Sequence, residues 1–182
     1  MRRLMAAILV VTAEVATTGA QSRTLAPFTA TPLDVVDRML TLAGVGPSDV
    51  VYDLGCGDGR IVIAAAQKFG ARGVGIDVDA ALIAQAQAQA RRVGVDNQVR
   101  FLVQDAMTAD VSQATVVTLY LLSASNVKLR PMLTRQLPRG ARIVSHNFAM
   151  GDWEPDEVHT FTDAAGATRT LYLWKADGRV RP

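Results

Sequence analysis

Three glycines in five positions, Gly55, Gly57 and Gly59, interrupt the stretch VVYDLGCGDGRIVIAAA at residues 50–66, between an apolar run ending in an acid and a run with helical character. A turn so poor in side chains, placed between a buried strand and a helix N-terminus, belongs at the carboxyl edge of an open α/β sheet. There the backbone must take up positive φ and let a ligand come close. The rest of the chain repeats the same alternation. Strand patterns cover 50–54, 73–77, 99–104, 115–121 and 142–146, and helical patterns cover 60–69, 80–93 and 126–137, where Pro131 is expected to act as a kink or a late start. Strands separated by helices of this length imply right-handed crossovers and a parallel sheet covered on both faces. The rhythm breaks at 157–162 and 168–175, two strand patterns separated only by DAAGA, which predicts an antiparallel hairpin after five parallel strands.

Ahead of the sheet, Thr31-Pro32-Leu33-Asp34 reads as a helix start, with Thr31 as N-cap, Pro32 at the first helical position and Leu33, Val36, Leu40 and Ala43 on the buried face up to Gly44. The chain of 182 residues, 49% hydrophobic and 20% charged, suffices for one substantial core. Residues 31–182 are expected to form that domain, after a linker at 21–30. Residues 1–20 are ordered like a signal peptide, with Arg2 and Arg3, an apolar run over 4–13, and Thr18-Gly19-Ala20 as a cleavage site. This predicts export, to the periplasm for example, or a membrane tether through residues 4–13, with a cytoplasmic location as the alternative. The single cysteine, Cys56, permits no internal disulfide and leaves the compartment open. A formal charge of +2, part of it in Arg2 and Arg3, gives no footprint for nucleic acid. The basic stretch Lys128, Arg130, Arg135, Arg139 and Arg142 is expected to be a solvated face. Two histidines, His146 and His159, are too few and too far apart in sequence to argue a metal site, and His146 is expected to cap the fifth strand. The oligomeric state has no signature here.

The glycine turn is not a P-loop, because Arg60 and Ile61 rather than Lys and Ser/Thr follow Gly59. It also departs from the nicotinamide fingerprint, being G-x-G-x-G with Asp53 two residues before its first glycine. An acid so close would repel a pyrophosphate and favour an amine or a sulfonium. Asp77 ends the second strand, 22 residues after Gly55, at the distance where a carboxylate holds ribose hydroxyls, and Asp105 follows the third strand, where it could accept from an adenine amino group. Three successive strand-terminal acids suit a nucleoside with a cationic, amino-acid-like tail, which is S-adenosylmethionine.

On these segments, with VRFLVQDAM, ATVVTLYLL and TRTLYLW, the chain resembles class I, seven-strand S-adenosylmethionine-dependent methyltransferases over about residues 27–175. PFTATPLDVVDRML and RGARIVSHNFAMGDW bring it nearer to small bacterial relatives of the mitochondrial protein-lysine methyltransferases that modify the adenine nucleotide translocase and a component of the ATP synthase. Cys56 stands where that branch often has serine. The resemblance implies a Rossmann-like doubly wound sheet of order 3-2-1-4-5-7-6 with strand 7 antiparallel. It implies that Asp53, Gly55, Cys56, Gly57 and Gly59 surround the methionine part, that Asp77 and Val78 hold the ribose, and that Asp105 and Ala106 frame the adenine. Asp58 is read as a turn residue or helix cap.

A protein lysine is the acceptor so implied, and at pH 7 its amine costs about 4.6 kcal/mol to hold neutral. Tyr120 and Asn126 are the candidates facing it, with Thr31 and Trp153 at the entrance; no residue is assigned as the proton acceptor. The alternatives are a non-catalytic nucleoside-binding domain and a nicotinamide-dependent oxidoreductase, the latter opposed by the glycine spacing and the terminal hairpin.

Overall fold

In the computed structural model, residues 29–182 are described; the signal-like segment and all but Thr29 and Ala30 of the linker lie outside them. Branched and apolar residues build β1 (Val50–Leu54), β2 (Arg72–Asp77), β3 (Val99–Val103), β4 (Val116–Leu119) and β5 (Arg142–His146), all parallel. The hairpin follows as β6 (Glu157–Thr162) and β7 (Thr168–Lys175), and β7 pairs antiparallel with both β5 and β6. The order is β3-β2-β1-β4-β5-β7-β6, as the resemblance implies. The chain runs outward from β1 to β3 and then returns to β4 on the other side of β1, so the reversal of strand order falls between β1 and β4, beside the glycine turn.

Helices α1 (Leu33–Leu42), α2 (Arg60–Phe69) and α3 (Ala80–Arg92) cover one face, and α4 (Ser123–Gln136) the other. Each face has its own core. Val36, Leu40, Ile61, Ile83 and Phe101 belong to the first, and Leu54, Ile76, Leu129, Leu133 and Trp174 to the second. Among the described residues no helix is long and apolar enough to cross a membrane.

Two helix starts differ from expectation. In α1 Pro32 is the flanking residue and Thr31 makes no cap, so the buried face is Val35, Val36, Met39 and Leu40, while Leu33 is 62% exposed. Helix α4 begins at Ser123 and takes Pro131 into its interior. Thr134, one turn on, donates its hydroxyl to the Arg130 carbonyl.

The basic stretch is a solvated face only in part: Lys128, Arg135 and Arg139 are exposed, as expected, whereas Arg130 and Arg142 turn into internal bonds. Arg130 is 7% exposed and donates to the carbonyls of Met150 (3.0 Å) and Pro182 (2.6 Å) and to Asp152; Arg142 pairs with Asp49, and Arg139 donates to the Asp177 carbonyl. These guanidinium groups tie α4 and β5 to neighbouring loops, which explains why so many cations follow each other in sequence.

Candidate active site

The turn from β1 to α2 holds Gly55, Gly57 and Gly59 at φ of 81°, 53° and 76°, a region that side chains disfavour. Space demands glycine as well. A Cβ on Gly55 would stand 2.9 Å from Leu121 Cδ2, and one on Gly59 would stand 2.5 Å from Phe101 Cε1 and 2.8 Å from Ala86 Cβ. The backbone amides of Gly55 and Cys56 both donate to the Ile76 carbonyl, at 2.8 and 3.0 Å, locking the turn onto the end of β2. The Gly57 amide donates to Asp77 Oδ2 at 2.9 Å.

Beside this turn, across the carboxyl ends of β1 to β4, opens a solvent-connected cleft. The first strand and its turn contribute Asp53, Gly55, Cys56 and Asp58, and α2 contributes Arg60 and Ile61. Ile76, Asp77, Val78, Asp79 and Leu82 come from the end of β2 and the start of α3, and Gln104, Asp105 and Ala106 from beyond β3. Tyr120 and Leu121 close the β4 side, and Thr29, Ala30 and Thr31 pass over it as a strap. The structure therefore brings together Asp53, Gly55, Cys56, Asp77, Val78, Asp105 and Ala106, with Thr31 and Tyr120. Gly57 and Gly59 stand behind the lining and shape the turn.

The three strand-terminal acids share the cleft in different states. Asp53 is 2% exposed and accepts from Thr118 Oγ1 at 2.8 Å. Burial pushes its carboxyl up to about 7 against the lowering effect of the Thr118 bond, and the charges of Asp77 and Asp58 add to the rise. Asp77 is half-buried and accepts from two backbone amides, Gly57 on Oδ2 and Asp79 on Oδ1 (3.0 Å), so it joins the two loops that flank the cleft. Asp105 accepts from the Met107 amide at 2.9 Å, capping the short 3-10 turn Ala106–Thr108. The Cys56 thiol is buried and pushed up, first by burial and then by the Asp53 charge, so it stays protonated and serves as packing.

Two expected acceptor-facing residues lie elsewhere. Because α4 starts before the expected 126, Asn126 is turned inward. It is fully buried and donates to Ser145 Oγ (3.1 Å) and the Phe148 carbonyl (3.0 Å). Trp153 packs in the core against Trp174, whose indole N–H donates to the Trp153 carbonyl at 2.8 Å, and the Arg181 guanidinium lies 4.4 Å over its ring. His146 ends β5 without a hydrogen-bond partner on either ring nitrogen, so it caps nothing. Asp58 pairs with Arg60 as a turn residue and also lines the cleft.

Sequence reasoning missed Arg60, Asp79 and Gln104. Arg60 binds Asp58 and donates Nη1 to the Thr31 carbonyl at 2.8 Å, latching the strap to the glycine turn. Asp79 caps α3 by accepting from the Ala81 amide at 2.8 Å, and the signal for it was visible as an acid immediately before the helical run. Gln104 directly precedes Asp105 and carried no pattern of its own. Among the described residues no group of three or more His, Cys, Asp or Glu is placed to hold a metal ion.

Comparison with known proteins agrees with this geometry. The family model described as the ANTKMT methyltransferase domain matches residues 53–157. A protein-lysine N-methyltransferase of Saccharolobus islandicus is 41% identical over 149 residues, covering 81% of this chain and 92% of that protein. The adenine nucleotide translocase lysine N-methyltransferase of Mus musculus is 31% identical over 132 residues, 72% of this chain and 57% of that protein, so the chain spans little more than half the length of this relative. A crystal structure described as an RNA methyltransferase from Salinibacter ruber in complex with S-adenosyl-L-homocysteine is 50% identical, with a TM-score of 0.78, over 84% of this chain and 97% of that one.

Proposed function

Because the chain belongs to the ANTKMT methyltransferase family, and so to the class I S-adenosylmethionine-dependent methyltransferases, we propose that it methylates lysine side chains of proteins. The observation that carries the reading is the convergence of Asp53, Asp77 and Asp105 on one cleft around a turn of three positive-φ glycines.

The residues present fit a cationic adenosine. Asp53 is a nearly buried carboxyl beside the turn, and it gains a natural counter-ion when an amine or sulfonium comes near. Asp77, already oriented by two amides, would hold the ribose hydroxyls; Asp105 and Ala106, with Val78 nearby, would frame the adenine. When bound, S-adenosylmethionine supplies an activated methyl group on a sulfonium. The protein's part is then to hold a neutral amine in line with it, which is chiefly a matter of position and of excluding water. The strap at Thr29–Thr31, latched by Arg60, supports the second requirement, and Tyr120 on the β4 side supports the first.

Relatives differ in the acceptor their descriptions state, protein lysine in some and RNA in another. The lysine reading is favoured by the family model and the relatives described as lysine methyltransferases, and Arg130 and Arg142, drawn into internal bonds, are two cations fewer for a phosphate backbone. Incubation with methyl-labelled S-adenosylmethionine and matched protein and RNA fractions of a cell extract tests it. Label on lysine Nε is expected; label in RNA, or none in protein, would contradict it.

A further inference from the structure

On the face of the sheet covered by α1 and α2, Asp53 and Thr118 occupy neighbouring strands and share a hydrogen bond. Two residues after Thr118, just past the end of β4, stands Tyr120, and His146, the residue after the last paired position of β5, lies beside it. The two rings stack with centroids 4.0 Å apart at 28°, and Phe148 completes the group at 6.2 Å from Tyr120. From Asp105 through Asp77 and Asp53 to Tyr120, the cleft thus passes from acids to one aromatic ring, with His146 and Phe148 behind it.

The backbone that sets these rings is held with unusual care. Asn147 has φ of 63°, the one positive value outside glycine among the described residues. Its amide donates to the Thr170 carbonyl at 2.7 Å, and the Thr170 amide donates back to its Oδ1 at 2.9 Å. On the other side Ser145 Oγ donates to the Phe148 carbonyl at 2.6 Å, and the fully buried Asn126 amide donates to both Ser145 Oγ and that carbonyl. A strained residue bonded on both flanks is how a fold keeps a side chain where packing alone would not. Here it fixes His146 and Phe148 on either side of the bend. His146 is fully buried with neither ring nitrogen bonded, a costly choice where phenylalanine would fill the space.

We propose that the Tyr120 ring, backed by His146 and Phe148, is the face that receives the alkyl-amine end of the acceptor lysine, with Asn126, Ser145 and Asn147 as the scaffold of that backing. The assignment rests on the methyltransferase reading above and adds which residues hold the acceptor. Aromatic faces attract an ammonium or a methylated ammonium and pack against its methylenes. Burial, with the nearby Arg169 charge and against that of Asp163, lowers His146 to about 4 and keeps the ring uncharged, so the imidazole adds no positive charge behind Tyr120, and Arg169 is itself paired with Asp163 at 2.7 Å. Tyr120 lines the cleft directly; His146 is a positioning residue that acts through the Tyr120 ring.

The test compares two ligands by calorimetry. One is S-adenosylhomocysteine; the other is its aza analogue with a four-carbon amine arm attached through an ethylene link at the position of the sulfur. The wild-type protein is expected to bind the armed ligand at least about tenfold tighter. Tyr120→Ala, Phe148→Ala and His146→Ala should each lose most of that gain, and Phe148→Ala and His146→Ala, which lie outside the cleft lining, should bind S-adenosylhomocysteine within about twofold of wild type. His146→Phe, which restores a stacking ring, should keep the gain. No gain in wild type, a gain that survives the alanine variants, or an equal loss for both ligands in Phe148→Ala and His146→Ala would overturn the assignment. Failure of wild type to bind S-adenosylhomocysteine would instead overturn the methyltransferase reading on which it rests.

Discussion

Asp53 is the residue on which the electrostatics of the cleft turn. The unbound protein holds its carboxyl near 7, above the ordinary 3.8, chiefly through burial. Between those values the folded chain keeps a proton that the unfolded chain has released, so this group makes the unbound protein less stable as pH rises from about 4 to 7. A cation in the cleft reverses the preference by favouring the carboxylate. Affinity for S-adenosylmethionine is therefore expected to rise with pH up to about 7 and then level off, with proton release on binding below pH 7. Calorimetry in buffers of different ionisation enthalpy reads that release, and Asp53→Asn should abolish it; a flat profile in wild type would refute the assignment. The acid and its glycines were legible in sequence because residue type and spacing alone exclude the phosphate-binding alternatives. The state of the acid was not legible, because it depends on Thr118 and on burial, set by strands 65 residues apart.

At the scale of elements, the run GVGID carried more than its final acid. Glycines are disfavoured in strand interiors, and here they mark close approach. A Cβ on Gly73 would meet Val62 Cβ at 2.8 Å, and one on Gly75 would meet Phe101 Cδ1 at 2.7 Å and Cys56 Sγ at 2.8 Å. Gly75→Ala is expected to destabilise the fold by about 1–3 kcal/mol in urea unfolding, the usual range for overpacking. Phe101→Leu should recover part of that loss when combined with it, and additive effects would show that the contact is not the cause. The strands and α2 were read correctly because their patterns are dense. The start of α4 was not, because Leu119 passes into Ser123 with no glycine or proline at the junction. With the helix starting at Ser123, Asn126 falls within its first turn on the buried side, and for that reason it lies under Phe148 instead of at the acceptor, where it was expected. Trp153 was misplaced for another reason: its partners, Trp174 and Arg181, come from the far end of the chain.

Across the whole molecule, order of elements translated directly into architecture. Alternating strands and helices, closed by a hairpin, leave the reversal of strand order between β1 and β4, and the glycine turn falls at that point. Tyr120 was legible at the end of the fourth strand, but its backing by His146 and Phe148 was hidden from such reasoning, since it arises where the ends of β4 and β5 meet and from a bend tied to β7. The central claim is that three acids at successive strand ends grip one cationic adenosine. Calorimetric titration of S-adenosylmethionine into wild type and Asp77→Ala tests it most directly, with circular dichroism to verify that the variant is folded. Binding that weakens by more than about 1.4 kcal/mol, a tenfold loss, is the expected result; equal affinity in a folded variant would contradict it.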